Sequence, residues 1–117
     1  MVQKLKIAAK PTFSAPVVMR VVGDNAGIIE VKFTAVFKRL DQPGREALRD
    51  ALVSQSITDS GVLDLVLADW EELVDVDGLP FLCSPENRAA ANADWPEFEW
   101  FIALAYFETV NKAQQKN

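Results

Sequence analysis

The side chains best placed to do chemistry are Asp75, Asp77, Cys83 and Glu86, gathered in one short stretch of the chain. Asp75-Val-Asp77-Gly78 opens like a calcium loop, and Glu86 falls where such a loop needs its bidentate glutamate. The glycine position of that loop is held by Pro80, the residue before it is Leu79, and Pro85 starts a new element. The reading is therefore an Asx turn, in which an Asp side chain satisfies turn N–H groups and Gly78 supplies the positive φ. No metal ligation is expected. Cys83 stands beside a helix start, which can lower a thiol's pKa, but no base accompanies it. The chain has no histidine, which excludes a histidine triad, an imidazole metal ligand and an imidazole proton shuttle. Enzyme chemistry would fall on carboxylates, Lys, Tyr or the single Cys, and the expectation is a non-enzyme without a cofactor.

The elements that position this stretch follow from hydropathy period. Val2 to Val22 reads as β, with Leu5 and Ile7 and then Val17 to Val22 rich in β-branched residues, broken by Pro11 and Pro16. Gly23-Asp-Asn-Ala-Gly27 is a turn cluster. From Ile28 to Leu40, Ile29, Val31, Phe33, Ala35 and Phe37 alternate with polar residues, the period of a strand with one buried face. The two runs make an antiparallel hairpin, with the beginning of the first run available as a third strand. Two strands alone are marginal, so the hairpin must pack on helices.

Helix starts mark the remainder. Asp41 caps a helix that has Pro43 in its first turn. Thr58-Asp-Ser-Gly61 interrupts and recaps. Val62, Leu63, Val66, Leu67, Trp70, Leu73 and Val74 then recur at helical spacing and predict one helix over residues 62–74. Asp64, Asp69, Glu71, Glu72 and Asp75 occupy its other face. Ser84-Pro85-Glu86 starts a short helix running through Ala91, broken at Asn92-Ala-Asp94. Trp95-Pro96-Glu97 begins the last helix. Phe98, Phe101, Ile102, Ala105 and Val110 trace its stripe, with Trp100, Tyr106 and Phe107 beside them. Aromatics around so much of the circumference mean either a central helix or a protein interface. The fold class is α+β: an N-terminal antiparallel hairpin or three-stranded meander followed by about four helices. Residues 1–40 are mainly β, 41–113 mainly α, and 114–117 form a frayed tail.

At 117 residues the chain is one domain. No apolar run approaches the ~20 residues of a membrane span. The N-terminus lacks the apolar core of a signal peptide, and a single cysteine fits a cytoplasmic protein. Charge is divided: residues 1–50 carry nine Lys/Arg against five Asp/Glu, and residues 51–117 carry three against twelve. Differently solvated faces account for this, and opposite-sign surfaces would also allow head-to-tail stacking. The acidic total argues against nucleic acid as the partner.

The segment from Trp70 to Glu86 carries a resemblance. Trp70, Leu73, Asp75, Asp77, Gly78, Pro80, Phe81, Ser84 and Glu86 match the element of the tail assembly chaperones of long-tailed bacteriophages and prophages, in which a Trp-bearing helix end is followed by an Asp-Gly turn, a Pro-Phe step and a Ser-x-Glu helix cap. The resemblance implies a small, non-catalytic protein of the bacterial cytoplasm. It would bind the tape measure protein, recruit tail tube subunits and self-associate. In several members of that family a programmed −1 frameshift near the end of the short frame makes a longer product. Gln115-Lys116-Asn117 can be encoded by codons containing A-AAA-AAC, a heptamer on which ribosomes slip, although this departs from the Gly-Lys slip site of lambda-like members.

On that footing the residues expected to meet a partner are Asp69, Trp70, Glu71, Glu72, Trp95, Phe98, Trp100, Phe101 and Tyr106. A groove between the 62–74 stripe and the Phe98–Val110 helix would hold an amphipathic helix, with the acidic edge favouring clients flanked by Lys or Arg. The rival readings are a structural virion component, such as a head–tail connector or tail terminator, and an acidic regulatory protein.

Overall fold

The computed structural model describes residues 10–114. Its element order is β1 (Thr12–Val22), β2 (Ile28–Lys38), α1 (Gln42–Val53), α2 (Asp59–Val66), β3 (Leu67–Glu71), α3 (Pro85–Asp94) and α4 (Phe98–Gln114). This is the α+β arrangement expected, a three-stranded antiparallel sheet and four helices. The expected third strand, from the Leu5–Ile7 run, lies outside the described residues. The strand that completes the sheet among them comes instead from mid-chain.

β1 and β2 pair from Thr12↔Lys38 to Val22↔Ile28 without a break. Pro16 does not interrupt β1, contrary to expectation, because among the described residues β1 is an edge strand and an edge tolerates a residue without an N–H. Alternation does what the period predicts: Ala15, Val17, Met19, Val21, Phe33, Ala35 and Phe37 are buried on one face. In the connecting turn the positive φ falls on Ala26, at 63°, rather than on the asparagine or a glycine. The turn is closed by Gly23 N–H to Gly27 O at 2.7 Å and Ala26 N–H to Gly23 O at 3.1 Å.

The helix predicted over 62–74 is overturned. It stops at Val66, and Leu67–Glu71 is β3, laid antiparallel on β2. The register explains why the spacing misled. Phe37 pairs with Leu67, Val36 with Asp69 and Ala35 with Trp70, so Ala68 is an extra residue in a bulge. In a regular strand, residues three apart face opposite ways; one bulged residue puts Leu67 and Trp70 on the same side. A spacing of three is thus compatible with a helix and with a bulged strand. Pairing satisfies the otherwise free edge of β2, which a helix there would leave open.

Caps set the helix starts as the sequence indicates. Asp41 accepts from Gly44 N–H at 2.9 Å, Thr58 from Gly61 N–H at 3.1 Å, and Ser84 from Asn87 N–H at 3.1 Å. α3 continues through Asn92-Ala93-Asp94 and ends at Trp95, so the expected break arrives three residues late. α4 answers the question its aromatics raised by being central. It packs on β1 and on α2, burying Phe98, Ile102, Ala103, Ala105 and Tyr106 against Phe33, Phe37, Leu63 and Val66 in one core. Phe98 stacks on Phe33 at 5.9 Å and meets Trp70 edge-on at 5.3 Å, and Tyr106 meets Phe37 edge-on at 5.2 Å.

Candidate partner-binding surface

The Trp70–Glu86 segment folds as one small unit. The Trp70 indole N–H donates to Phe81 O at 2.7 Å, and the two rings stack at 6.0 Å. Phe81 N–H returns to Leu73 O at 2.8 Å, and Val74 bridges Pro80. At the tip, one oxygen of Asp75 accepts from Asp77 N–H at 2.9 Å and Leu79 N–H at 3.0 Å, while Gly78 takes φ 78°. This is the Asx turn that the sequence indicates: the Asp75 carboxylate is committed to its own backbone. Ser84 then caps α3, with Glu86 in its first turn. Trp70 is the anchor, and the turn is a short hairpin pinned to it.

Of the nine residues expected to meet a partner, Trp70, Phe98 and Tyr106 are core, between 2% and 4% exposed. Their placement follows from α4 being sandwiched, and they hold the fold together. Asp69, Glu71 and Glu72 are exposed along β3 and its end, one of the two open edges of the sheet among the described residues. Asp69 accepts from Trp70 N–H at 2.8 Å, and Glu72 accepts from the Thr34 hydroxyl. Trp95 and Trp100 are 41% and 47% exposed, and Phe101 is half-buried with its ring edge-on to Trp100 at 4.9 Å. The expected groove between the 62–74 stripe and α4 does not exist. Val62, Leu63 and Val66 are buried within the same core as Ile102 and Tyr106, so the two elements fill each other.

The apolar surface that remains lies elsewhere. Trp100 and exposed Leu104 are one helical turn apart, with half-buried Phe107 next in register, on the side of α4 turned from the core. A second group sits on the pinned hairpin and its flank, where Val74, Val76, Leu79 and Leu82 are exposed. A third is the β1–β2 tip, with Val22, Ile28 and Ile29. Exposed apolar residues in groups, rather than singly, are the usual mark of interaction surfaces.

Spacing gave no sign of Arg88. It donates to Glu99 at 2.7 Å, to Asp64 at 2.8 Å, and to the Ser60 carbonyl at 2.7 Å, tying α2, α3 and α4 together. Burial works against the Arg88 charge, but the bonds to Glu99 and Asp64 outweigh it and raise its pKa. Glu99, a buried carboxylate, is thereby matched. This cluster is a structural hub rather than a reaction centre, because each of its charges is already paired.

Cys83 is half-buried. Burial, with the Asp69 charge adding to it, raises its thiol pKa against the opposing Arg88 charge. The helix start beside it does not activate it. Among the described residues no group of three or more Cys, Asp or Glu side chains could hold a metal ion, and no helix is long and apolar enough to cross a membrane. No family model, curated protein or solved structure matches the chain.

Proposed function

We propose that the protein is a tail assembly chaperone of a long-tailed bacteriophage or prophage. It acts in the bacterial cytoplasm without catalysis, holding the apolar helical surface of the tape measure protein in solution and recruiting tail tube subunits. The observation that carries the reading is the Trp70–Glu86 unit. Trp70 stands on a strand here and not on a helix end, but Trp70, Asp75, Gly78, Phe81 and Ser84 together build one pinned hairpin and the helix start after it, as a shared fold determinant would. The surface offered to a client is the Trp100–Leu104 stripe with Trp95, which suits the apolar face of an amphipathic helix.

The test is co-expression with the tape measure protein of a long-tailed phage. The expected result is a tape measure protein that stays soluble and co-purifies, and that returns to the pellet with the Trp100→Ser/Leu104→Ser variant. A tape measure protein equally insoluble with and without the chain would overturn the reading. A structural virion component is favoured by a different observation, the exposed apolar tip of the β1–β2 hairpin, which could seat in a neighbouring subunit. Stoichiometric recovery of the chain in purified particles would select that alternative.

A further inference from the structure

At the end of the sheet opposite the β1–β2 turn, a cleft of about 410 Å³ opens between the start of β1, the β2–α1 junction and the last turns of α4. Phe13, Leu40 and Val110 make its apolar floor, and Arg39, Arg45, Tyr106 and Thr109 supply its polar groups. The guanidinium of Arg39 lies 5.4 Å over the Phe13 ring. Arg45 donates from Nε to Leu40 O at 3.2 Å, which fixes its guanidinium and leaves the terminal amino groups free to donate. Among the described residues neither arginine has a carboxylate within ion-pair distance.

Tyr106 is the decisive member. Its ring is buried, only 4% of the residue being exposed, yet its hydroxyl has no hydrogen-bond partner among the described residues. No fully enclosed side-chain oxygen or nitrogen lacks a partner, so this hydroxyl is the part of the residue left open to the cleft. A buried tyrosine usually finds a partner for its hydroxyl. In the open cleft solvent serves as that partner, and a ligand oxygen that displaces it can accept in its place. Burial raises the Tyr106 pKa, with the Arg45 charge opposing it, so the hydroxyl keeps its proton near neutrality and can donate.

We propose that this cleft binds an acidic-apolar segment of a partner polypeptide. A side-chain carboxylate is held by Arg39, Arg45 and the Tyr106 hydroxyl, and the adjoining apolar side chain rests on Phe13, Leu40 and Val110. Two unpaired guanidiniums and a hydroxyl donor match the acceptor-only chemistry of a carboxylate. A phosphate suits the site less well. The Gly44 N–H at the start of α1 nearby is already capped by Asp41, whose negative charge opposes a dianion more than it opposes a single carboxylate. Exposed Lys10 and Lys38 flank the same end of the sheet, extending the positive field beyond the cleft. A segment carrying several carboxylates uses that field better than a single chain terminus does.

This inference does not rest on the tail chaperone reading, and the co-expression result bears on it in neither direction. The test is a titration of the full chain, followed by amide NMR shifts, with the peptide acetyl-Leu-Glu-Leu-Glu-Phe-amide. The controls are its Gln-for-Glu counterpart and inorganic phosphate at matched ionic strength. The expected result is saturable shifts around Phe13, Leu40, Arg45 and Val110, at least tenfold weaker binding of the Gln peptide, and no comparable shifts from phosphate. Arg39→Gln and Tyr106→Phe each weaken the Glu peptide severalfold while thermal unfolding shows both variants folded. Equal binding of the Gln peptide, shifts that map to another face, or phosphate binding as tightly as the peptide would each overturn the proposal.

Discussion

Arg88 shows at the scale of one residue how function-like chemistry can serve architecture. One guanidinium answers a buried carboxylate, an exposed carboxylate and a backbone carbonyl on two other helices. Removing one partner of a buried pair strands the other, which costs about 3 kcal/mol or more. Arg88→Ala is therefore expected to lower urea-unfolding stability by about that amount. Arg88→Met with Glu99→Gln is expected to recover part of it, because no bare charge is left. A double variant no better than the single one would show that packing, not charge, is what Arg88 supplies. Nothing in the sequence announced this hub, since Arg88 sits 24 residues from Asp64 and 11 from Glu99, and neither spacing belongs to a local pattern. Cys83 is the opposite case, visible in sequence and read there as having no base to activate it, although its place beside a helix start could have lowered its pKa. Its pKa is raised in the folded chain by burial. The thiol then contributes stability that is fully present below its unfolded pKa, about 8.5, and is lost as pH rises through the folded value. Cys83→Ala is expected to unfold with a flatter pH dependence than the parent as pH rises above the unfolded thiol pKa. Alkylation of native Cys83 by iodoacetamide at pH 7.5 is expected to be slower than that of a free thiol.

The caps, the hairpin alternation and the Asx turn were legible at the scale of elements because each is settled by neighbours in sequence. Asp41, Thr58 and Ser84 all accept the hydrogen bonds their positions imply. β3 was not legible, because its identity is decided by the unpaired edge of β2, some thirty residues earlier. The bulge at Ala68 disguised it as part of a helix. A deletion separates the two descriptions. Removing Ala68 from a bulged strand leaves Leu67 and Trp70 two apart, on the same face and opposite Phe37 and Ala35 as before. Removing a residue from a continuous helix would swing everything beyond it by about 100°. The Ala68 deletion is expected to unfold cooperatively with a small loss of melting temperature. Deletion of Leu65 inside α2 is expected to abolish the folded state, since it rotates Val66 away from the core that Val62 and Leu63 keep. The edge position also gives the acids of β3 a physical purpose that needs no partner. Charged residues on an open strand edge discourage pairing with another chain.

The candidate site, at the scale of the whole molecule, divides along the line between core and surface that the sequence left open. The helix with aromatics on most sides proved central, and its sandwiching took Phe98 and the Tyr106 ring into the core, the Tyr106 side chain reaching only the cleft at the sheet's end, while leaving Trp100 and Leu104 outside. Composition alone could not make that division, because it depends on which flank of α4 the sheet and α2 cover. The acidic edge and the apolar stripe are thus separable, and so are their roles. Glu71 makes no side-chain hydrogen bond or ion pair among the described residues, so Glu71→Lys probes the edge with little disturbance of the fold, within about 0.5 kcal/mol as for most surface changes. If the edge steers Lys- or Arg-flanked clients, the reversal slows their association, and added salt narrows the gap between parent and variant because screening removes the steering. If the edge only guards an open strand, the reversal leaves capture unchanged, since a lysine blunts an edge as well as a glutamate does. Stopped-flow association at two salt concentrations, with chemical denaturation of the same samples, distinguishes these outcomes. A rate loss that persists unchanged at high salt would remove electrostatic steering from the account and leave the Trp100–Leu104 stripe as the surface that captures.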